Sequence, residues 1–195
     1  RRWIAEVDGA PVGTGLYTQS VETYHPRRFV VDALVLEPFR GRGIGRALHD
    51  TAVAALEPFD PIGLRAHCRE DFPRSVRFLA DRGFTEAMRD WESRLDPRAF
   101  DSAPFQPKVD AVRAQGIAIR SVADLADDPD RDRKLYDLDW AVTQDMPSAD
   151  PLTPPTFEHF LASTLGGPTC FPEAWFVALD GDRYVGESSL WKSGV

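Results

Sequence analysis

The same hairpin pattern occurs twice in this chain, once near each end. Residues 3–17 read WIAEVDGAPVGTGLY, and residues 175–191 read WFVALDGDRYVGESSLW. Each stretch starts at a Trp, alternates apolar residues, turns at Asp-Gly and resumes at Val-Gly, with one residue inserted in the later copy. Asp-Gly between alternating runs is a strong hairpin signal because the turn needs residues that accept positive φ. The repetition predicts two copies of one structural module.

Strand and helix patterns alternate after the first hairpin. The run FVVDALVL at residues 29–36 is interrupted only by Asp32 and predicts a buried strand. Apolar residues at helical spacing then predict a helix that stops at Pro58. The remaining predictions for this half are a strand at 62–68, a short helix at 73–83 with Pro at its start and Gly past its end, and a long strand at 84–96.

The second half repeats the opening of this order after a break. We interpret residues 97–116, rich in Pro and Ala, as a linker with a short helical piece after Pro107. The predicted elements that follow are a strand at 117–122, helices at 128–144 and 156–165, the second capped by Thr156, and then the second hairpin. The predicted fold class is therefore α+β. The first copy is entered late and the second is cut short, so we expect this chain to be the middle of a longer tandem protein.

Composition narrows the function classes. The chain has 195 residues and a net charge of −8, and its basic residues form no nucleic-acid footprint. Its longest apolar runs fall far below the roughly 18 residues that cross a bilayer, so we expect no membrane partner. The acidic excess lies in residues 96–195, where it favours solubility or, alternatively, attracts a cationic substrate. Two distant cysteines, Cys68 and Cys170, form no disulfide framework, which indicates a cytoplasmic protein.

A turn rich in arginine and glycine joins the strand at 29–36 to the helix after it, in the stretch LVLEPFRGRGIGRAL at residues 34–48. The first backbone N–H groups of a helix lack internal partners, and the helix dipole favours an anion beside them. Glycine lets the backbone approach a phosphate closely. Arg40 and Arg42 add charge-assisted donors. The pattern therefore predicts a pyrophosphate site.

Three kinds of phosphate loop compete for this pattern. A Walker loop ends in Gly-Lys-Ser/Thr, which Gly45-Arg46-Ala47 does not match. A dinucleotide fingerprint needs G-x-G-x-x-G, whereas the glycines here are spaced G-x-G-x-G. The third kind is Arg-x-x-Gly-x-Gly after a strand, and Arg40, Gly43 and Gly45 fit it directly. In this the chain resembles the coenzyme A loop of the GNAT superfamily of acyl-CoA-dependent N-acyltransferases.

The resemblance covers most of the chain. Residues 1–96 resemble a first GNAT module without its N-terminal strand and helices, 97–116 are the linker, and 117–195 resemble the N-terminal part of a second module. The stretches REDFPRSVRFLADRGF and DPDRDRKLYDL are similar to bacterial tandem GNAT proteins. The resemblance implies a twisted mixed β-sheet with helices on both faces. It also implies acetyl-CoA as cofactor and N-acetyl transfer to an amine-bearing small molecule or peptide.

Site residues follow from the same resemblance. Backbone groups of Val35 and Leu36 are expected to pair with the pantetheine arm. Asp32, beside the expected cleft, is a candidate catalytic base or amine anchor, with a structural carboxylate as the alternative. The residues expected to hold the pyrophosphate are Arg40, Gly41, Arg42, Gly43, Ile44, Gly45 and Arg46, and those expected to form a substrate rim are Glu22, Tyr24 and His25. No His or Cys spacing favours a metal site.

Position 79 departs from the family pattern. The helix at 73–83 often carries a Tyr that protonates the leaving thiolate, and Leu79, which stands there, cannot donate a proton. An alternative to an active enzyme is therefore a degenerate coenzyme A-binding or structural module that supports a catalytic second module lying mostly beyond this chain. A third reading is an interaction protein with a vestigial loop. Strand 184–191 would leave an open edge, so we expect it to pair with the first module, another chain or residues outside this sequence.

Overall fold

The computed structural model describes residues 1–193 in two units, each with its own sheet. Residues 1–89 and 149–153 form the first unit, and the rest of the chain forms the second. The elements of the first unit are strands β1 (Arg2–Val7), β2 (Ala10–Thr18), β3 (Arg28–Val35) and β4 (Gly63–Arg65) and helices α1 (Ile44–Ala54) and α2 (Pro73–Ala80). Both units mix helices with sheet, so the predicted α+β class is confirmed.

The sheet of the first unit has the order β1-β2-β3-β4. The first three strands pair antiparallel, and the predicted turn at Asp8-Gly9 has positive φ at both residues, 52° and 77°. Strand β4 runs parallel to β3 but pairs with it only from Arg28↔Gly63 to Val30↔Arg65. From Val31 onward, β3 has no described strand on that side. The sheet therefore opens along the second half of β3.

Helix α1 packs closely on β2 and β3 because two positions of β2 have no side chain. A Cβ on Gly13 would lie 3.2 Å from Cδ1 of Leu48, and a Cβ on Gly15 would lie 3.0 Å from the Cβ of Leu48. Leu48, which is buried, fills the space above these glycines. The glycines that mark the first hairpin therefore set the distance between helix and sheet.

A short segment from far along the chain completes the first unit. Asp150 is only 12% exposed and bonds to Arg65 of β4 at 2.5 Å and to Arg28 of β3 at 3.4 Å. The N–H of Thr153 donates to the carbonyl oxygen of Glu22 at 2.6 Å. Residues 149–153 thus hold together the start of β3, the end of β4 and the loop that precedes β3.

Two predicted strands of the first half are corrected. The strand expected at 62–68 is limited to Gly63–Arg65, and residues 84–96 form no strand. Alternation in 84–96 fits a strand only where another strand and a covered face receive it. Here Trp91 is 82% exposed and Leu95 66% exposed, so neither has a core to join.

The second unit repeats the hairpin and adds one strand beside it. Its strands β5 (Ile117–Ser121), β6 (Trp175–Asp180) and β7 (Arg183–Ser189) pair antiparallel in that order. Both hairpins carry a register shift in their first strand, between Ala5 and Glu6 in one and between Ala178 and Leu179 in the other. The two copies therefore match in backbone irregularity as well as in sequence.

Three helices belong to the second unit as far as residue 193. They are α3 (Gln106–Ala114), α4 (Arg131–Thr143) and α5 (Phe157–Phe160), the last continuing as a π-helix through Leu161–Leu165. The predicted cap is present, because the Thr156 hydroxyl accepts from the N–H of His159 at 3.2 Å. The core is a cluster of buried side chains that includes Leu125, Leu135, Phe160, Trp175 and Val177.

Strand β7 pairs with β6 on one side and with no strand of residues 1–193 on the other. The pairing expected for this edge, with the first module, another chain or residues outside this sequence, stays a prediction. Within the described part of the chain, no helix combines the length and apolarity required to span a bilayer.

Candidate functional site

A cleft of about 1380 Å³ lies in the first unit, where β3 loses its strand neighbour. The wall on the sheet side comprises the start of β2, the second half of β3, the loop after β3 and the first turns of α1. The opposite wall comprises residues 66–69 and much of 72–82, including Phe72, Arg74, Phe78 and Leu79. Sequence-predicted residues on these walls are Asp32, Val35, Leu36, Arg40, Gly41, Gly43, Gly45 and Arg46.

The open edge of β3 presents unused backbone groups to this cleft. The N–H of Leu36 donates to the carbonyl oxygen of Val12 at 2.9 Å, so the backbone of Leu36 points towards β2. Backbone groups in an antiparallel pair alternate in direction along the strand. Those of Ala33 and Val35 therefore point the other way, where β4 no longer pairs with β3. The Val35 carbonyl oxygen is the exception among these unused groups, because it accepts from Nε of Arg40 at 3.0 Å.

This alternation of backbone directions changes the expectation that Leu36 pairs with the pantetheine arm. Its N–H is bonded to Val12, and its carbonyl oxygen accepts from the N–H of Phe39 at 3.0 Å. Leu36 therefore lines the cleft without a free N–H to offer an extended ligand. The backbone groups of Ala33, two residues before Val35, point to the open edge of β3 instead.

The loop after β3 has the geometry of an anion site. Gly41 and Gly43 have φ of 80° and 83°, and Gly43 caps the 11-residue helix α1. The cap has no side-chain hydrogen bond, and the first turn of α1 has no acidic residue. Its initial N–H groups therefore face any bound anion without competition.

Arginines surround this loop, though not all in the predicted way. Arg40 and Arg46 line the cleft, whereas Arg42 lies outside it, with its guanidinium 5.2 Å from the centroid of the Phe39 ring. Ile44 does not line the cleft either. None of the three arginines forms an ion pair with a described residue. Arg40 and Arg46 thus leave positive charge available for a ligand.

Asp32 lies in the cleft but in a different environment from the predicted one. The sequence suggested a buried strand, whereas β3 alternates and Asp32 is on its exposed face. An exposed carboxylate in the cleft can still attract an ammonium group.

The predicted substrate rim lies outside the cleft lining. Glu22 and Tyr24 are exposed, and their carbonyl oxygens accept hydrogen bonds from Thr153. His25 bonds locally, because its Nδ1 accepts from the N–H of Arg27 at 3.1 Å. The structure therefore brings Glu22 and Tyr24 to segment 149–153, and none of the three residues lines the cleft.

Sequence reasoning missed His49, which lines the cleft from α1. Its Nδ1 lies 3.1 Å from Oδ1 of Asp50, and this hydrogen bond lowers the pKa of the Asp50 carboxyl. Its Nε2 is buried without a hydrogen-bond partner among residues 1–193, and its ring packs edge-on against Phe78. The spacing of four residues from Gly45 could have placed His49 on the cleft face of the helix.

Residues 66–69 bring further polar groups to the opposite wall. His67 and Cys68 both line the cleft, and Cys68 is an exposed free thiol. No group of three or more His, Cys, Asp or Glu suited to a metal ion occurs within residues 1–193. Leu79 also lines this wall, so the position expected to donate a proton is occupied by an aliphatic side chain.

Residues 1–84 match the model of the Acetyltransferase (GNAT) family. A comparison with curated protein sequences gives no match. Similar solved structures include the aminoglycoside N-acetyltransferase AAC(6')-Iy in complex with CoA, at 20% identity and a TM-score of 0.37, over 49% of this chain and 75% of that one. Another is Ard1 from Thermoplasma volcanium, at 25% identity and a TM-score of 0.38, over 42% of this chain and 53% of that one. A third is a ribosomal-protein-alanine N-acetyltransferase from Brucella melitensis, at 25% identity and a TM-score of 0.35, over 49% of this chain and 69% of that one.

Proposed function

We propose that this protein is an N-acetyltransferase acting on an amine, because residues 1–84 match the model of the Acetyltransferase (GNAT) family, whose members use acetyl-CoA. The acceptor is a small molecule or peptide that bears a primary amine. The observation that carries the proposal is the open edge of β3, which leads directly into the glycine and arginine loop at the start of α1.

The cleft residues fit the chemical parts of acetyl-CoA. The loop from Arg40 to Arg46 binds the diphosphate through the free N–H groups of α1 and the guanidinium groups of Arg40 and Arg46. The edge of β3 pairs with the amide groups of the pantetheine arm through Ala33 and Val35, in place of the pair Val35 and Leu36. The free edge of β3 would hold the pantetheine arm in the way that a sheet edge holds an added strand.

Acetyl-CoA supplies an acetyl group activated as a thioester. The residues of this chain have to hold the amine, remove its proton and bind the carbonyl oxygen. Asp32 is on the cleft face of β3, where its carboxylate attracts an ammonium group and takes a proton from it. An unpaired N–H on the edge of β3 is suited to donate to the carbonyl oxygen as negative charge develops there. Leu79 offers no proton to the leaving sulfur, so solvent in the open cleft supplies it.

Leu79 also supports a second candidate function. A module with the intact coenzyme loop and no proton donor at this position is suited to bind coenzyme A without efficient turnover. In this alternative, the first unit supports a catalytic second module. We propose the tandem arrangement itself because the second unit repeats the hairpin with a bulge in the same strand.

Thermal unfolding with and without acetyl-CoA tests coenzyme binding. A ligand that binds only the folded state stabilises it by RT ln(1 + [L]/Kd), about 2.7 kcal/mol at a hundredfold excess over Kd. We expect the melting temperature of the first unit to rise by several degrees. A cooperative transition that does not move at saturating acetyl-CoA would contradict the proposal.

Amine-dependent release of free thiol from acetyl-CoA distinguishes the two candidates. A panel of small amines and peptides serves as acceptors, and the release without acceptor is the blank. Thiol release above the blank identifies an acetyltransferase. Coenzyme binding without release across the panel favours the degenerate module.

A further inference from the structure

We propose that Arg74, at the start of α2, is a coenzyme-binding residue that contacts the diphosphate of acetyl-CoA from the wall opposite the glycine loop. The inference rests on the proposed function, because it assigns a role within the same cleft. It adds a side chain from a second helix to a subsite that the loop alone was predicted to form.

Arg74 reaches across the cleft to the loop. Its Nη2 lies 3.6 Å from the position that a Cβ on Gly41 would occupy, which is ordinary contact distance. Arg74 and Gly41 both line the cleft, together with Gly43 and Arg40. A diphosphate held by the N–H groups of this loop is therefore within reach of the Arg74 guanidinium.

The guanidinium of Arg74 is available for a ligand. It is exposed and forms no ion pair with a described residue, and the first turn of α2 has no acidic side chain. Two other arginines on this wall are already engaged. Arg69 bonds to Asp71 at 2.7 Å, and Arg82 donates to the carbonyl oxygen of Phe78 at 2.9 Å. Arg74 is therefore the cation on this wall that is best placed for the diphosphate.

Chemistry favours a guanidinium at this point. Backbone N–H groups of the loop approach a diphosphate from one side, and the oxygens on the other side remain to be bound. A planar guanidinium can donate two parallel hydrogen bonds to a phosphate, whereas an ammonium acts as a point charge. Because Gly41 belongs to the loop itself, the 3.6 Å approach favours the diphosphate over the more distant 3′-phosphate of the adenosine.

Calorimetric titration of the full chain with CoA and with dephospho-CoA, which lacks the 3′-phosphate, tests the proposal. We expect Arg74→Ala to weaken both ligands by about tenfold, the effect of losing one charge-assisted hydrogen bond. Arg74→Lys should recover part of the affinity, since the charge is kept and the fork is lost. Arg77→Ala is the matched control, because Arg77 is on the same helix, is 84% exposed and pairs with Asp81 outside the cleft.

Two results would overturn the assignment. One is an affinity for CoA that Arg74→Ala and Arg77→Ala leave equally unchanged. The other is a loss confined to CoA, with dephospho-CoA unaffected, which would move Arg74 to the 3′-phosphate. Failure of the wild-type chain to bind CoA would instead contradict the proposed function. A melting curve for each variant shows that a loss of affinity is not a loss of folding.

Discussion

The carboxylate of Asp150 lies 2.5 Å from Nε of Arg65, although 85 positions separate the two residues in the sequence. Asp150 also lies 3.4 Å from Arg28 and is nearly buried. One acidic side chain therefore joins the start of β3 to the end of its parallel neighbour β4. The positive charges of Arg28 and Arg65 would otherwise repel each other.

Asp150→Ala should destabilise the first unit by about 1–3 kcal/mol, because it leaves two partly covered guanidinium groups without their shared partner. The measurement is amide hydrogen exchange of β3 and β4, which reports the first unit by itself. Asp71→Asn is the control, since the Asp71–Arg69 pair is more than half exposed on both sides and should change stability by less than about 0.5 kcal/mol. Equal protection in both variants would show that Asp150 does not hold the strands.

Arg40→Ala should weaken coenzyme binding more than Arg42→Ala. Arg40 lines the cleft and donates to the Val35 carbonyl oxygen, whereas Arg42 lies over Phe39 outside the cleft. We expect about a tenfold loss of CoA affinity for Arg40→Ala and less than about twofold for Arg42→Ala, measured by calorimetry at fixed salt. The reverse order would mean that the loop rearranges when the coenzyme binds.

Leu79→Tyr should raise the rate of acetyl transfer. A positioned acid contributes roughly 10²–10⁴-fold to proton transfer, so even a poorly aligned phenol should accelerate turnover by about tenfold. Leu79→Phe is the matched control, because it has the same ring without the hydroxyl. Thiol release is compared at saturating acetyl-CoA, with CoA affinity measured alongside. Equal rates for the Tyr and Phe variants would show that sulfur protonation does not limit the reaction.

Tyr184→Phe should lower the stability of the second unit and change how that stability depends on pH above 10. Burial and a 2.9 Å hydrogen bond to Asp128 raise the pKa of the Tyr184 phenol above its ordinary value of 10.0. The stabilisation from this neutral phenol is present below pH 10 and is lost as the pH rises through the folded-state pKa, because the unfolded phenol ionises first. Removing the hydroxyl should cost about 1 kcal/mol at pH 8 and lessen the decline above pH 10.

Amide exchange of β6 and β7 at pH 8 and pH 10.5 measures this effect. Tyr24→Phe serves as the control, since its phenol is 52% exposed. A wild-type protein and a Tyr184→Phe variant that lose protection in parallel above pH 10 would contradict the assignment.

Local signals in the sequence predicted most of the fold. Asp8-Gly9 defines a hairpin through the two residues of its own turn, and Gly43 defines the start of α1 through its own φ. Pairing between distant segments was not predictable in this way. The run at 84–96 alternates as a strand does, but alternation does not supply the partner strand that a sheet requires.

The residues of the candidate site, too, were predictable only where the signal is local in the sequence. The loop from Arg40 to Gly45 could be identified from its spacing, because helix starts and glycine turns are local features. Whether Leu36 or Ala33 presents its backbone to the cleft depends on the register between β2 and β3, and the residues of β3 alone do not determine that register. His49 follows from the helix period once the cleft face is known. Segment 149–153 could not be foreseen, since nothing near Asp150 in sequence indicates Arg65.

Strand β4 is only three residues long, so the second half of β3 keeps a free edge. On the proposed function, the protein without coenzyme has an unpaired strand edge in its first unit. Regions of low local stability of this kind are where proteases gain access to a chain. Binding of acetyl-CoA would then slow proteolysis of the first unit as well as supply the acetyl group.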